Sequence, residues 1–154
     1  MDEFYEITKQ PITSYKEAEG FLYALPRFTV KNDLSHTKEL LQRMGNPGWD
    51  IPKLHVAGTN GKGSVCAYLQ SLLGEYGYKT GGFISPHLVT MHERFLINRL
   101  PVSDALFMEA FLRVKSVSDD AFLEGVSYPT FFEFLFLMGM YIFGKERVGV
   151  LVLE

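Results

Sequence analysis

Apolar residues recur along the chain in two rhythms, one helical and one continuous, and glycine or proline marks most of the changes between them. Ser14-Tyr15-Lys16-Glu17 has the spacing of a capping box, in which Ser14 accepts the amide of Glu17 and Glu17 reaches back to the amide of Ser14. It predicts a helix to about Leu25, stopped by Pro26, with Phe21, Leu22 and Leu25 on the face that packs. A second helix is predicted from about Ser35 to Met44, where Leu40, Leu41 and Met44 form the stripe and Gly45-Asn46-Pro47-Gly48 supplies a left-handed cap and a breaker. Lys53 to Ala57 reads as a short strand running into Gly58-Thr59-Asn60-Gly61-Lys62-Gly63-Ser64. Val65, Leu69, Leu72 and Leu73 then repeat at helical spacing to about Tyr76, and Gly77 ends that helix. Lys79 to Ile84 supplies another strand, followed by the loop Ser85-Pro86-His87, and Glu93 to Asn98 a further short one. Helices are expected from Ser103 to about Val117 and from about Thr130 to Phe143, and the apolar run Val148 to Leu153 is the last strand.

Strands that are apolar without alternation and separated by helices belong in the middle of a parallel sheet covered on both faces. The expected class is therefore α/β, a mostly parallel sheet with helices on both faces. The last strand, the most hydrophobic in the chain, has no helix after it. Either it lies under helices already described or the chain is a piece of a longer one.

Composition narrows the possibilities. With 154 residues, 47% hydrophobic and 21% charged, the chain is the size and make-up of one packed domain, not a disordered segment or a disulfide-stapled miniprotein. A net charge of −3 leaves no electrostatic footprint for nucleic acid or an anionic membrane, so neither is expected as a partner. The single cysteine, Cys66, excludes an internal disulfide and a multi-cysteine zinc site. Met1 to Gln10 carries Asp2, Glu3 and Glu6 and lacks the features of a secretory signal, which makes the cytoplasm the expected compartment. Phe131 to Phe143 contains Glu133 and falls well short of the roughly 20 residues that span a bilayer, so it is read as a buried helix.

Chemistry concentrates in Gly58 to Ser64. A phosphate group needs several backbone N–H donors aimed at one point, which glycines permit, and a helix N-terminus adds its dipole. Lys62 adds a point charge, and the Ser64 hydroxyl is a donor for phosphate or Mg²⁺. The spacing departs from a Walker A loop, because its first glycine would fall at Val56 and Gly63 intervenes before Ser64. Strand before and helix after are nonetheless the context that phosphate binding requires.

His55 to Ser64, then Phe83-Ile84-Ser85-Pro86-His87-Leu88, then Glu93-Arg94-Phe95, together with Pro129-Thr130-Phe131-Phe132-Glu133 and Val150 to Glu154, closely resemble the N-terminal ATPase domain of the folylpolyglutamate synthase/dihydrofolate synthase family, relatives of the Mur ligases. The resemblance implies a P-loop α/β core over 53–154, preceded by leading helices over 1–52, as the N-terminal part of an ATP-binding domain. It implies MgATP as cofactor, a folate and L-glutamate as reactants, and a monomer when full length. Thr59, Asn60, Gly61, Lys62, Gly63 and Ser64 would hold the triphosphate, Lys62 being the catalytic group, and Ser85 and Glu154 would ligate Mg²⁺. Asn32, Asp33, Pro86, His87, Thr130, Phe132 and Glu133 would lie at the substrate.

Plainer readings stand beside these. Ser85 before proline can simply begin a turn, Glu154 can be a solvated carboxylate, Cys66 is a small core residue, and Tyr128 to Phe136 can be aromatic core. In the family the acidic strand leads into a glycine-rich segment, a further histidine ligand, a modified lysine and a C-terminal domain. None follows Glu154, so the expectation is a fragment inactive alone. Dihydrofolate synthase activity on dihydropteroate, or a truncated non-catalytic nucleotide-binding module, are the alternatives.

Overall fold

The computed structural model of the chain describes residues 11–26 and 32–154. They belong to two compact units, one from Met1–Asn46 and Met108–Met138, the other from Pro47–Phe107 and Gly139–Glu154.

In the first unit, helix α1 (Tyr15–Ala24) opens with the expected capping box and buries Ala18, Phe21 and Leu22. Helix α2 (Leu34–Arg43) begins one residue earlier than the apolar spacing indicated, because the Asp33 carboxylate accepts the His36 amide at 3.0 Å and caps it. Its end closes as anticipated: Gly45 and Asn46 take positive φ, and the Asn46 amide bonds back to the Leu41 carbonyl. Helix α4 (Asp104–Leu123) runs well past Val117. Lys115 is buried and pairs with Asp119 at 2.6 Å, and Val114, Val117 and Ala121 carry the buried stripe past the expected end. Around Phe21 stand the rings of Phe111, Phe134 and Tyr128 at 5.5, 5.9 and 6.2 Å, all edge-on. Helix α5 (Phe131–Lys145) supplies Phe134 here and, through Gly139 to Lys145, belongs to the second unit as well.

The second unit is built on a five-stranded sheet of order β1-β5-β2-β3-β4, formed by β1 (Lys53–His55), β2 (Thr80–Phe83), β3 (Phe95–Ile97), β4 (Leu100–Pro101) and β5 (Val150–Leu153). β1, β5 and β2 are mutually parallel, whereas β2, β3 and β4 run antiparallel in turn, so the sheet is mixed. The apolar last strand is explained by its place, since β5 lies between β1 and β2 with Val150, Leu151 and Val152 buried. Both faces of β2 are covered. A Cβ at Gly81 would come within 2.8 Å of Phe143 in α5, and one at Gly82 within 2.5 Å of Gln70 in helix α3 (Lys62–Glu75). Adjacent strand residues point to opposite faces, so α3 and the end of α5 approach the strand from either side.

The hairpin of β3 and β4 was not anticipated. Its two-residue turn is Asn98-Arg99, both with positive φ, the geometry of a type I′ turn without the glycine that usually announces one. Glu93 and Arg94, expected in the strand, instead close a 3₁₀ turn (Met91–Arg94) capped by Thr90.

Candidate functional site

The expected site residues fall into two sets, one in each unit. In the second unit, β1 ends at His55 and the Val56 amide still pairs with the Leu153 carbonyl at 2.7 Å. The chain then passes through exposed residues 57–61 to Gly61, whose φ of 77° and ψ of 3° lie in the left-handed region that favours glycine. That residue turns the backbone directly into α3. Nothing from a side chain caps this helix, in contrast to α1 and α2. The amides at Lys62, Gly63 and Ser64 therefore point, with the helix dipole, at an open position beside the loop.

Glu154 follows β5 at the same end of the sheet. Its amide bonds to the Phe83 carbonyl at 2.9 Å, and its carboxylate, only 7% exposed, lies between two partners. One carboxylate oxygen accepts the Ser85 amide at 3.2 Å, and the other is 3.7 Å from the Lys62 ammonium. Glycine loop, lysine, serine and acidic residue thus meet at the carboxyl ends of β1, β2 and β5, the edge at which open α/β sheets bind ligands. Cys66, one turn beyond Lys62, is fully buried, and burial, reinforced by the Glu154 charge, pushes its thiol pKa up.

The Ser85–Pro86 peptide is cis, and His87 Nδ1 accepts from the buried Arg94 side chain at 2.7 Å. Glu93 gathers the amides of Leu88, Val89 and Thr90 at 2.8 to 2.9 Å, and these bonds hold its carboxyl below the usual range. Arg94 and Glu93 therefore shape the loop that presents Ser85 to His87. Among the described residues no cluster of three or more His, Cys, Asp or Glu side chains forms a metal cage.

In the first unit, Asn32, Thr130 and Glu133 converge. One Glu133 oxygen accepts from Asn32 Nδ2, the Thr130 amide and the Thr130 hydroxyl, each at 2.8 Å. The other accepts from Thr37 at 3.1 Å and lies 3.5 Å from His36 Nδ1. Burial is the largest single influence on this carboxyl and would raise its pKa, but the hydrogen bonds from Thr130 and Asn32, with His36, outweigh it and the pKa is lowered. His36 Nε2 lies 2.6 Å from the Ser127 carbonyl, and Ser127 donates to Asn32 at 2.9 Å. Thr130 and Glu133 form a capping box on α5, a Thr-x-x-Glu signal present in the sequence. Asp33 serves as the cap of α2, and Phe132 keeps a half-exposed ring.

The second unit thus defines an α/β protein with a glycine loop, a helix N-terminus and a strand-end carboxylate at one edge of a parallel half-sheet. No protein-family model matches the chain. It is 34% identical to the dihydrofolate synthase/folylpolyglutamate synthase of Bacillus subtilis, over 92% of this chain and 33% of that protein. To the mitochondrial folylpolyglutamate synthase of Homo sapiens it is 43% identical, over 97% of this chain and 28% of that protein. The solved FPGS-AMPPCP-folate complex superposes with a TM-score of 0.85 at 28% identity, over 91% of this chain and 34% of that one. The chain belongs to the folylpolyglutamate synthase/dihydrofolate synthase family. It spans about a third of the length of the relatives it matches. No described helix is long and apolar enough to cross a membrane.

Proposed function

We propose that this chain is the nucleotide-holding part of a ligase that adds L-glutamate to the γ-carboxyl of a folate through an acyl phosphate. The observation that carries the reading is the meeting of the uncapped N-terminus of α3, Lys62 and the Glu154 carboxylate at one sheet edge. In this reading the backbone of Thr59 to Ser64 cradles the triphosphate of ATP, and the partly exposed Lys62 ammonium turns to the transferring phosphoryl group. The folate carboxylate attacks the γ-phosphorus, the bond to ADP breaks, and an acyl phosphate forms. The glutamate amine then attacks the acyl carbon, loses a proton and expels inorganic phosphate. Both steps call for charge neutralisation and alignment rather than a covalent nucleophile.

In this reading Ser85 and Glu154 would hold a hard cation: the Glu154 carboxylate accepts the Ser85 amide at 3.2 Å, and a carboxylate and a hydroxyl are oxygen donors of the kind such an ion takes. Mg²⁺ bound there would neutralise phosphate charge. The name of the Bacillus subtilis relative joins two activities, which supports dihydropteroate as a second acceptor for the same phosphate machinery.

Titration of the 154-residue chain with MgATP tests the reading. The expected result is binding that Lys62→Ala weakens about tenfold or more, roughly 1.4 kcal/mol. Binding untouched by the substitution, or none by a wild-type chain whose circular dichroism is intact, would overturn it.

A further inference from the structure

The groups at the start of α3 are not equally ready for a phosphate. No side chain caps the helix amides, but the Lys62 ammonium already faces an anion. The Lys62 stem runs back beside the glycine loop, where a Cβ added at Gly58 would stand 3.8 Å from its Cγ, and its tip lies 3.7 Å from the Glu154 carboxylate. The cation that a phosphate needs is thus engaged with the carboxylate that a metal ion needs.

This contact is one of charge, not a hydrogen bond. Lys115 and Asp119 meet at 2.6 Å and Lys79 and Glu146 at 2.8 Å, distances at which an N–H donates, whereas 3.7 Å is too long. The two partners also differ in freedom. Lys62 is 31% exposed on a flexible four-carbon stem, while the buried Glu154 is held by the Ser85 amide. Such a pair is readily exchanged on the lysine side and costly to strip on the glutamate side, because a buried carboxylate without a counter-charge is strongly disfavoured.

A polyphosphate arriving alone meets that asymmetry. To engage Lys62 it must draw the ammonium off Glu154 and then lie beside the bared carboxylate, a like charge in a poorly solvated place. When a divalent cation accompanies it, Glu154 keeps a counter-charge and Lys62 is released toward the phosphate. We propose that the Lys62–Glu154 contact is a lock that admits polyphosphate only together with a divalent cation, with Glu154 as the discriminating residue. This rests on the phosphate reading of the α3 N-terminus and gives Glu154 a role before any cation is bound. The coupling is mutual: occupied phosphate positions strengthen the hold of Glu154 on the cation by the factor by which the cation strengthens phosphate binding.

Calorimetric titration of the 154-residue chain with ATP, in EDTA and in excess Mg²⁺, tests the lock. Wild type should bind ATP about tenfold more weakly in EDTA than in Mg²⁺. Glu154→Gln keeps an acceptor for the Ser85 amide but frees Lys62, so it should bind ATP in EDTA about tenfold more tightly than wild type, with little further gain from Mg²⁺. That gain should vanish when Lys62→Ala is combined with Glu154→Gln. Glu75→Gln, the same change at the exposed far end of α3, should produce no gain. If wild type binds MgATP but Glu154→Gln is no tighter in EDTA, or if the gain persists without Lys62, the lock is overturned and the phosphate reading stands. A folded wild type that binds no MgATP would overturn both.

Discussion

Two carboxylates, Glu133 in the first unit and Glu154 in the second, stand in opposite conditions. Four hydrogen bonds from three residues converge on Glu133, which ties the start of α5 to Asn32 and to α2. Glu154 is more deeply buried, yet it holds one amide and an ammonium 3.7 Å away. The helices beside them differ in the same sense, since α5 is capped by Thr130 and α3 by no side chain. A saturated carboxylate is a fastening, whereas a buried one beside a lysine and uncommitted amides has capacity left for a ligand.

Substitution separates the two roles most sharply at Glu133. Glu133→Ala leaves the Thr130 amide, Asn32 and Thr37 without their acceptor, and the stability read from urea unfolding should fall by about 3 kcal/mol. Glu154→Ala should cost no more than about 1 kcal/mol in the same measurement, because few bonds are lost, but should remove the effect of Mg²⁺ on nucleotide affinity. Equal stability losses at the two positions would break the contrast.

The open site has its own structural demand in the backbone. A Cβ at Gly61 would meet nothing within 4 Å, so Gly61→Ala acts only through the left-handed φ of 77°. The expected loss is roughly 1–2 kcal/mol, and any nucleotide affinity lost with it would report the turn rather than a steric block. Thr130→Ala, which removes the cap of α5, should cost about 1 kcal/mol in urea unfolding.

Element existence was legible wherever the pattern was periodic or the cap chemical, as in the Ser14–Glu17 box, the glycine loop and the apolar β5. The β3–β4 hairpin was not, because Arg99 occupies a left-handed position that sequence signals assign to glycine. The extent of α4 beyond Val117 was not read from the sequence, although Ala121 continues the buried stripe of Val114 and Val117 one turn further. Of the candidate site, the loop was visible in its glycines and in its place between a strand and a helix, although its spacing departs from a Walker A loop. The capping bonds of Asp33, Thr130 and Glu133 were also written in the sequence, as Asp-x-x-His and Thr-x-x-Glu, beside the place at the substrate that the resemblance implies for them. Arg94 belongs to the Glu93-Arg94-Phe95 run that carries the resemblance, but its bond to His87 was not legible, because only the turned-back 3₁₀ segment brings the two side chains together.

Acidity offers the finest distinction between the two carboxylates. The folded-state pKa of Glu133 lies below its ordinary 4.5, so its contribution is complete above about pH 4.5 and is lost as the pH falls through the lower folded value. Glu133→Gln removes that titration and also substitutes an N–H donor for one of the accepting oxygens. The variant should therefore be less stable at neutral pH, with the difference from wild type shrinking as the pH drops below about 4.5. Urea midpoints of the two proteins measured across that range check the prediction. A difference that stays constant with pH would mean that the Glu133 charge contributes nothing beyond the shape of its side chain, and the fastening would then rest on Thr130 and Asn32 alone.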